Sequence, residues 1–266
     1  MNLKRFILFS CMSPILLVTL GVSVLASQQA YSQTADEVIG KYVDAMGGKD
    51  KLLSIQSIYQ EGVAVMQNGT EIDTKTWKVQ GKLYRQEINF GMGSVVNIVT
   101  PTQGWSSNPR NGGAFAAMTD EQVKNQQIQL DCAGPLVNYA AKGYKAQLLG
   151  KDTVGGQECD QVQLTSASGA VITFSIDEKK GYALRVVYKG LGMGGGGGNG
   201  GGGGNGGGRR GGGNGELSVD FSDYQKTPDG YVFPFTLVVG GFNLKTSVEK
   251  IEVNKPVDLA TLSKPS

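Results

Sequence analysis

From Ser57 to Val253, apolar side chains return at every second position in one short segment after another. Val63 and Val65 are followed, across Asn68-Gly69, by Trp77 and Val79, then by Tyr84, Ile88 and Phe90, and by a run from Val95 to Val99. Asn-Gly between two such runs signals a hairpin, because both residues tolerate the positive φ of a tight turn. Trp105 opens an extended piece ending at Pro109, and a looser, small-residue segment runs from Arg110 to Met118. The second half alternates more cleanly, through Tyr144, Ala146 and Leu148, Val162 and Leu164, Ile172, Phe174 and Ile176, and then Leu184, Val186 and Tyr188. Leu217, Val219 and Phe221, a turn at Pro228-Asp229-Gly230, Phe233 to Val239, and a strand through Val248, Ile251 and Val253 complete the series. Pro234 inside a strand predicts an edge or a bulge, since it has no N–H to give a ladder.

Period two means strands with one covered and one wet face, joined by short turns into an antiparallel sheet. We count ten to twelve strands. A single sheet of that size curls, and helices are the natural cover for its apolar face. Thr34-Ala35-Asp36-Glu37 reads as a capping box, and Val38, Ile39, Tyr42, Val43 and Met46 then recur at helical spacing until Gly47-Gly48. Lys49 to Leu53 reads as one more helical turn, and Thr119 to Gln122 opens a polar helix predicted to reach about Cys132. The predicted fold is mainly β with helical lids (α+β), a large curled antiparallel sheet forming an incomplete barrel.

The chain has 266 residues and no histidine, which excludes His-based nucleophile relays, imidazole general bases and His-ligated zinc. No Ser stands in a Gly-x-Ser-x-Gly elbow, and acidic residues are scattered. An enzyme is therefore not expected, nor a metal or other cofactor. Of the 41 glycines, 19 fall among the 26 residues of 190–215, so an ordinary chain carries one block with almost nothing to bury. Glycines so dense match nucleotide-binding spacings trivially, without the strand-to-helix context those need.

Lys4 and Arg5 precede an apolar stretch from Phe6 to Leu25, and small residues then lead to Ala30-Tyr31-Ser32. This is the pattern of a secretory signal peptide over residues 1–32, cleaved between Ser32 and Gln33. About 20 apolar residues also suffice for a membrane anchor, but Ser13 and Pro14 interrupt the run. Cleavage removes two of the 25 basic residues and no acid, leaving 23 of each sign. A neutral mature chain argues against nucleic acid or an anionic membrane captured by charge. Only Cys132 and Cys159 remain after cleavage; export allows a disulfide between them, and two separate buried thiols fit the sequence equally well.

The order of these features resembles the outer-membrane lipoprotein-sorting family, the LolA-like periplasmic carriers, in a divergent form. The resemblance runs from residue 34 to 264. It rests on the opening helix with Gly47-Gly48-Lys49, on Gly104-Trp105-Ser106-Ser107-Asn108-Pro109 and on Thr119-Asp120-Glu121-Gln122. It continues with Gly134-Pro135-Leu136-Val137-Asn138-Tyr139, Phe221-Ser222-Asp223-Tyr224, Phe233-Pro234-Phe235 and Val248 to Asn254. It implies one LolA-like domain over 33–266, with 190–215 inserted in a hairpin loop, and a monomer in the periplasm. It also implies a concave face that holds acyl chains of lipoproteins or lipids, with sorting components of the inner and outer membranes as partners. An important arginine of the type carrier, placed before a Leu-aromatic pair, falls here near Gln80, ahead of Leu83-Tyr84, with Lys82 the closest cation. Trp77, Tyr84, Phe90 and Trp105 are the candidate lining of the hydrophobic cavity, with ordinary core packing as the competing role for each. A second reading of the same fold is an envelope sensor or structural binding module that carries no cargo.

Overall fold

The computed structural model describes residues 33–66, 68–109, 112–189, 216–240 and 244–265. The expected signal peptide over residues 1–32, with Ser32 at its predicted cleavage site, and the glycine block 190–215 lie outside the described residues.

Helix α1 spans Ala35–Ala45 and begins with the capping box legible in the sequence: the Glu37 N–H donates to the Thr34 hydroxyl and the Thr34 N–H to the Glu37 carboxylate. Gly47 and Gly48, both at positive φ, stop it and lead into α2 (Lys49–Leu53). Six strands follow, β1 (Ser57–Val65), β2 (Glu71–Val79), β3 (Leu83–Asn89), β4 (Ser94–Val99), β5 (Gly104–Ser107) and β6 (Phe115–Ala117). Helix α3 (Asp120–Gln126) and two 3-10 turns (Gln127–Leu130 and Tyr139–Lys142) then cross to a second set. That set is β7 (Lys145–Val154), β8 (Gln157–Thr165), β9 (Val171–Asp177), β10 (Ala183–Lys189), β11 (Glu216–Lys226), β12 (Val232–Val239) and β13 (Leu244–Val253), before α4 (Leu259–Leu262).

All thirteen strands form one sheet in the order β6-β5-β4-β3-β2-β1-β13-β12-β11-β10-β9-β8-β7. Two antiparallel meanders are thus joined by a single non-sequential pair, β1 with β13, from Ile58↔Val253 to Val65↔Lys245. The register slips there between Glu61 and Gly62. A Cβ on Gly62 would lie 2.3 Å from the Ser247 carbonyl oxygen, so only glycine allows this close approach.

Three sequence expectations need correction. There is one strand more than the upper count, because β6 has three residues, too few to display a period, and is recruited by pairing with β5. The α3 helix stops at Gln126 and tightens to 3-10 winding, which turns Leu130 into a cluster with Tyr84 and Val99. Pro234 is in an interior strand, and the ladder from β12 to β13 starts only at Thr236, so it meets no β13 partner, as at an edge.

The two faces differ. Ile58, Lys78, Tyr84 and Val99 share one face through their registers, and so do Leu237, Phe221, Leu217 and Tyr188 farther along. Tyr84 and Tyr188 stand six strand intervals apart, about 29 Å in a flat sheet. Yet Ile128 packs against Val162, Leu164 and Ile172 of β8 and β9, while Leu130, two residues on, packs against Tyr84 and Val99 of β3 and β4. The sheet therefore curls around this face, which also receives the helices: Val38 and Ile39 of α1 pack on Val162, Leu164, Ile172 and Phe174, and Met46 and Leu52 pack with Ile58 and Val253. On the convex face, Val257, Leu259 and Leu262 of the C-terminal segment cover Leu83, Val96 and Ile98. The ends of the sheet, β6 and β7, are not paired with each other, so the barrel is incomplete.

Candidate functional site

The concave face gathers four tyrosines from distant parts of the chain: Tyr42 on α1, Tyr84 on β3, Tyr144 just before β7 and Tyr188 on β10. Tyr42, Tyr144 and Tyr188 pack against one cluster, whose apolar members include Val186 and Phe174. Burial pushes the Tyr42 and Tyr188 hydroxyls up to about 12, and raises those of Tyr84 and Tyr144 as well. Tyr42, Tyr144 and Tyr188 nevertheless keep accessible surface. Their rings pack at the margin of this core while part of each side chain stays accessible. None of the four hydroxyls has a hydrogen-bond partner among the described residues.

Charged groups adjoin this wall. The segment 127–143 delivers Asp131, whose Oδ2 accepts from Lys142 Nζ at 2.6 Å while Oδ1 is buried without a partner. Lys142 also donates to the Gly134 carbonyl, which spends that cation locally. Lys78 on β2 reaches Gln129 Oε1 at 3.3 Å and stands 5.7 Å from the centre of the Tyr84 ring, its cross-strand neighbour. Burial lowers the Lys78 pKa, opposed by Cys132 and Asp131, so its ammonium is incompletely compensated. Burial likewise pushes the Cys132 thiol up to about 11.

The rest of the concave face divides into two kinds of surface. Leu217, Val219 and Phe221 on β11, Leu237 and Val239 on β12 and Ile251 on β13 are all half-buried, an open apolar wall. Across β1 to β5, cross-strand pairing aligns Gln60, Thr76, Gln86, Asn97 and Ser106, also half-buried, in a polar row on the same face. The trough is amphipathic across its width.

Of the four candidate lining residues, Tyr84 lies in the concave wall. Phe90 follows β3 on the parity of Tyr84, at the β3–β4 turn, and is 43% exposed. Trp77 and Trp105 project from the convex face, because Trp77 pairs with Arg85, which pairs with Ile98, and Ile98 with Trp105. There Trp105 packs under the C-terminal segment, while Trp77 meets Tyr59 at 5.2 Å between ring centres. Tyr59 and Trp77 line a cleft of about 290 Å³ closed by Lys255 to Asp258 and Leu262. Both cysteines are free and buried: Cys132 packs with Met46 and Leu52, whereas Cys159 sits between β7 and β9, opposite Asp152 and Asp177. Gln33, the expected first mature residue, directly precedes the Thr34 cap.

Tyr42, Tyr144, Tyr188, Lys78 and Asp131 escaped the sequence reading as site residues. The available signal was four tyrosines at alternating or helical apolar positions, an expensive way to fill a core unless each hydroxyl has somewhere polar to go. Gln80, where the resemblance places an arginine, accepts the Cys132 N–H at 2.7 Å, and the Gly81 N–H donates to the Leu130 carbonyl. The β2–β3 turn thereby holds the 127–143 segment through neutral hydrogen bonds. Among the described residues no group of three or more Cys, Asp or Glu is placed to hold a metal ion.

No family model matches the chain, and no curated protein matches it in sequence. Among solved structures it is similar to a DUF1329 family protein from Desulfovibrio piger, 14% identical with a TM-score of 0.52, over 87% of this chain and 98% of that one. It is also similar to a LolA superfamily protein from Nitrosomonas europaea, 8% identical with a TM-score of 0.50, over 88% of this chain and 99% of that one.

Proposed function

We propose, from the LolA-like fold that the chain has, that it is an exported carrier which holds acyl chains of lipids or lipoproteins in its concave face. The observation that carries this reading is the apolar wall of β11 to β13, half-buried on the inside of a curled sheet where a filled core would leave such side chains fully covered. Acyl chains gain about 0.8 kcal/mol per buried CH₂, so a wall of this kind needs area and no catalytic group. The apolar stretch after Lys4 and Arg5, read as a cleaved signal, supports a periplasmic location. Partners on this reading are the donor and acceptor components of the two membranes.

Mass spectrometry of lipids extracted from the protein, purified from an envelope fraction without detergent exchange, tests the proposal. Acyl lipid or acylated protein near one equivalent is the expected result. Finding neither at any stoichiometry would sink it.

A further inference from the structure

The inner face of β1 to β5 carries one row of side chains that the fold itself leaves unused. Cross-strand pairing sets Gln60 opposite Thr76, Thr76 opposite Gln86, Gln86 opposite Asn97 and Asn97 opposite Ser106. Directly opposed side chains stand about 5 Å apart, so neutral polar groups from five strands form one continuous line across the trough. All five are half-buried, and none of their side chains has a hydrogen-bond partner among the described residues. The rows on either side carry Ile88 and Val95, and Ile58, Tyr84 and Val99. At β1 the line meets Ile251 of β13, where the apolar wall begins.

Hydrocarbon does not suit this row. Carboxamides and hydroxyls covered by acyl chains would lose their water and gain no hydrogen bond, so acyl chains settle on the β11 to β13 wall and leave the row to another part of the ligand. We propose that Gln60, Thr76, Gln86, Asn97 and Ser106 bind an extended, uncharged polypeptide segment, the chain that continues from an acylated residue held on the apolar wall. This deepens the carrier reading and rests on it: of lipids and acylated proteins, it selects the second.

The chemistry of the row matches a peptide. A Gln or Asn carboxamide has an N–H donor and a C=O acceptor in one plane, as a peptide group has, so the two exchange a pair of hydrogen bonds. Thr76 and Ser106 add hydroxyls that give or accept one. Five strands span four intervals, about 19 Å, which is the length of roughly six extended residues. No charge stands in the row to pair with a charged residue of the segment, which favours an uncharged one. A glycan would find neither tryptophan there, since Trp77 and Trp105 project from the convex face, nor a carboxylate.

The test uses the full chain, freed of bound lipid, and isothermal titration calorimetry with four probes. They are a myristoylated, uncharged hexapeptide amide of Ser, Gly and Ala; the same lipopeptide with its peptide nitrogens methylated; myristamide, which has no peptide; and tetradecyl maltoside, which has a neutral sugar. Binding is measured for the wild type and for the double variant Gln86→Met/Asn97→Leu. These near-isosteric changes remove groups that bond nothing in the fold, so the melting temperature should stay nearly unchanged.

The wild type should bind the lipopeptide about tenfold more tightly than myristamide. Methylation of the peptide nitrogens and the double variant should each abolish that advantage, with myristamide affinity unchanged. The methylated probe tests the row in the wild type, whatever the variant does to folding. Equal binding of lipopeptide and myristamide by the wild type, an advantage that survives methylation or the double variant, or tighter binding of tetradecyl maltoside than of the lipopeptide overturns the peptide site and leaves the carrier reading standing. Failure of the wild type to bind any of the four probes overturns both.

Discussion

Arg85 and Leu262 lie on opposite sides of the C-terminal overlap: the Arg85 guanidinium, buried on the convex face of β3, donates from Nη1 to the Leu262 carbonyl at 3.2 Å. The same nitrogen reaches the Lys264 carbonyl, and Nε pairs with Glu87 at 2.7 Å. One side chain thus anchors the last residues over Leu83 and Ile98. Arg85→Met should lower stability by about 2 kcal/mol, since it removes the donor to two carbonyls of the C-terminal segment and unpairs Glu87. Hydrogen exchange should show protection lost first over residues 257–265. Unchanged exchange there would mean that the apolar contacts of Val257 and Leu262 suffice.

Gly62 decides whether the two meanders can join. An alanine Cβ would sit 2.3 Å from the Ser247 oxygen and 2.9 Å from Val248 Cα, both backbone atoms that cannot rotate away. Gly62→Ala should therefore cost at least about 2–3 kcal/mol, seen as a lower midpoint in urea denaturation.

Stability should fall in alkaline solution. Cys132 rises from an ordinary 9.0 to about 11, and Tyr42 and Tyr188 from 10.0 to about 12. Above the unfolded values the unfolded chain loses protons that the folded chain retains, so stability is full below pH 9 and declines between pH 9 and 12. The melting temperature should drop across that window, and buried tyrosines should ionise, by absorbance at 295 nm, only together with unfolding. Tyrosinate appearing near pH 10 for every tyrosine, Tyr42 and Tyr188 included, without unfolding, would contradict their burial.

The glycine block joins strands already registered as neighbours, Lys189↔Glu216, with an ion pair between the same two side chains. Deleting residues 191–214 leaves a two-residue connection and should keep the fold, with a gain of up to about 2 kcal/mol from shorter loop closure. A large drop in melting temperature would show that the block contributes contacts of its own.

Much of this fold could be read locally. The capping boxes at Thr34 and Thr119 form as written, because their partners lie three residues away. The Asn68-Gly69 turn closes β1 on β2, with Gly69 at positive φ and Asn68 Oδ1 accepting the Thr70 N–H. The candidate site was less legible. Trp77 and Tyr84 looked equivalent as aromatic residues in alternating runs, yet they occupy opposite faces. Asp131 stood out in no motif, and its unpaired oxygen exists only relative to elements far away in sequence.

The sequence by itself determined the alternation, the turns and caps, and hence a large antiparallel sheet with helices to cover it. These depend on dihedral preferences and on neighbours a few residues apart. The tertiary structure alone decided which parity faces inward, because that follows from the β1–β13 pairing and from the curl that brings β3 toward β8 and β9. Period two assigns every residue to one of two faces; only long-range packing says which face is concave, and therefore which tyrosines can meet a ligand.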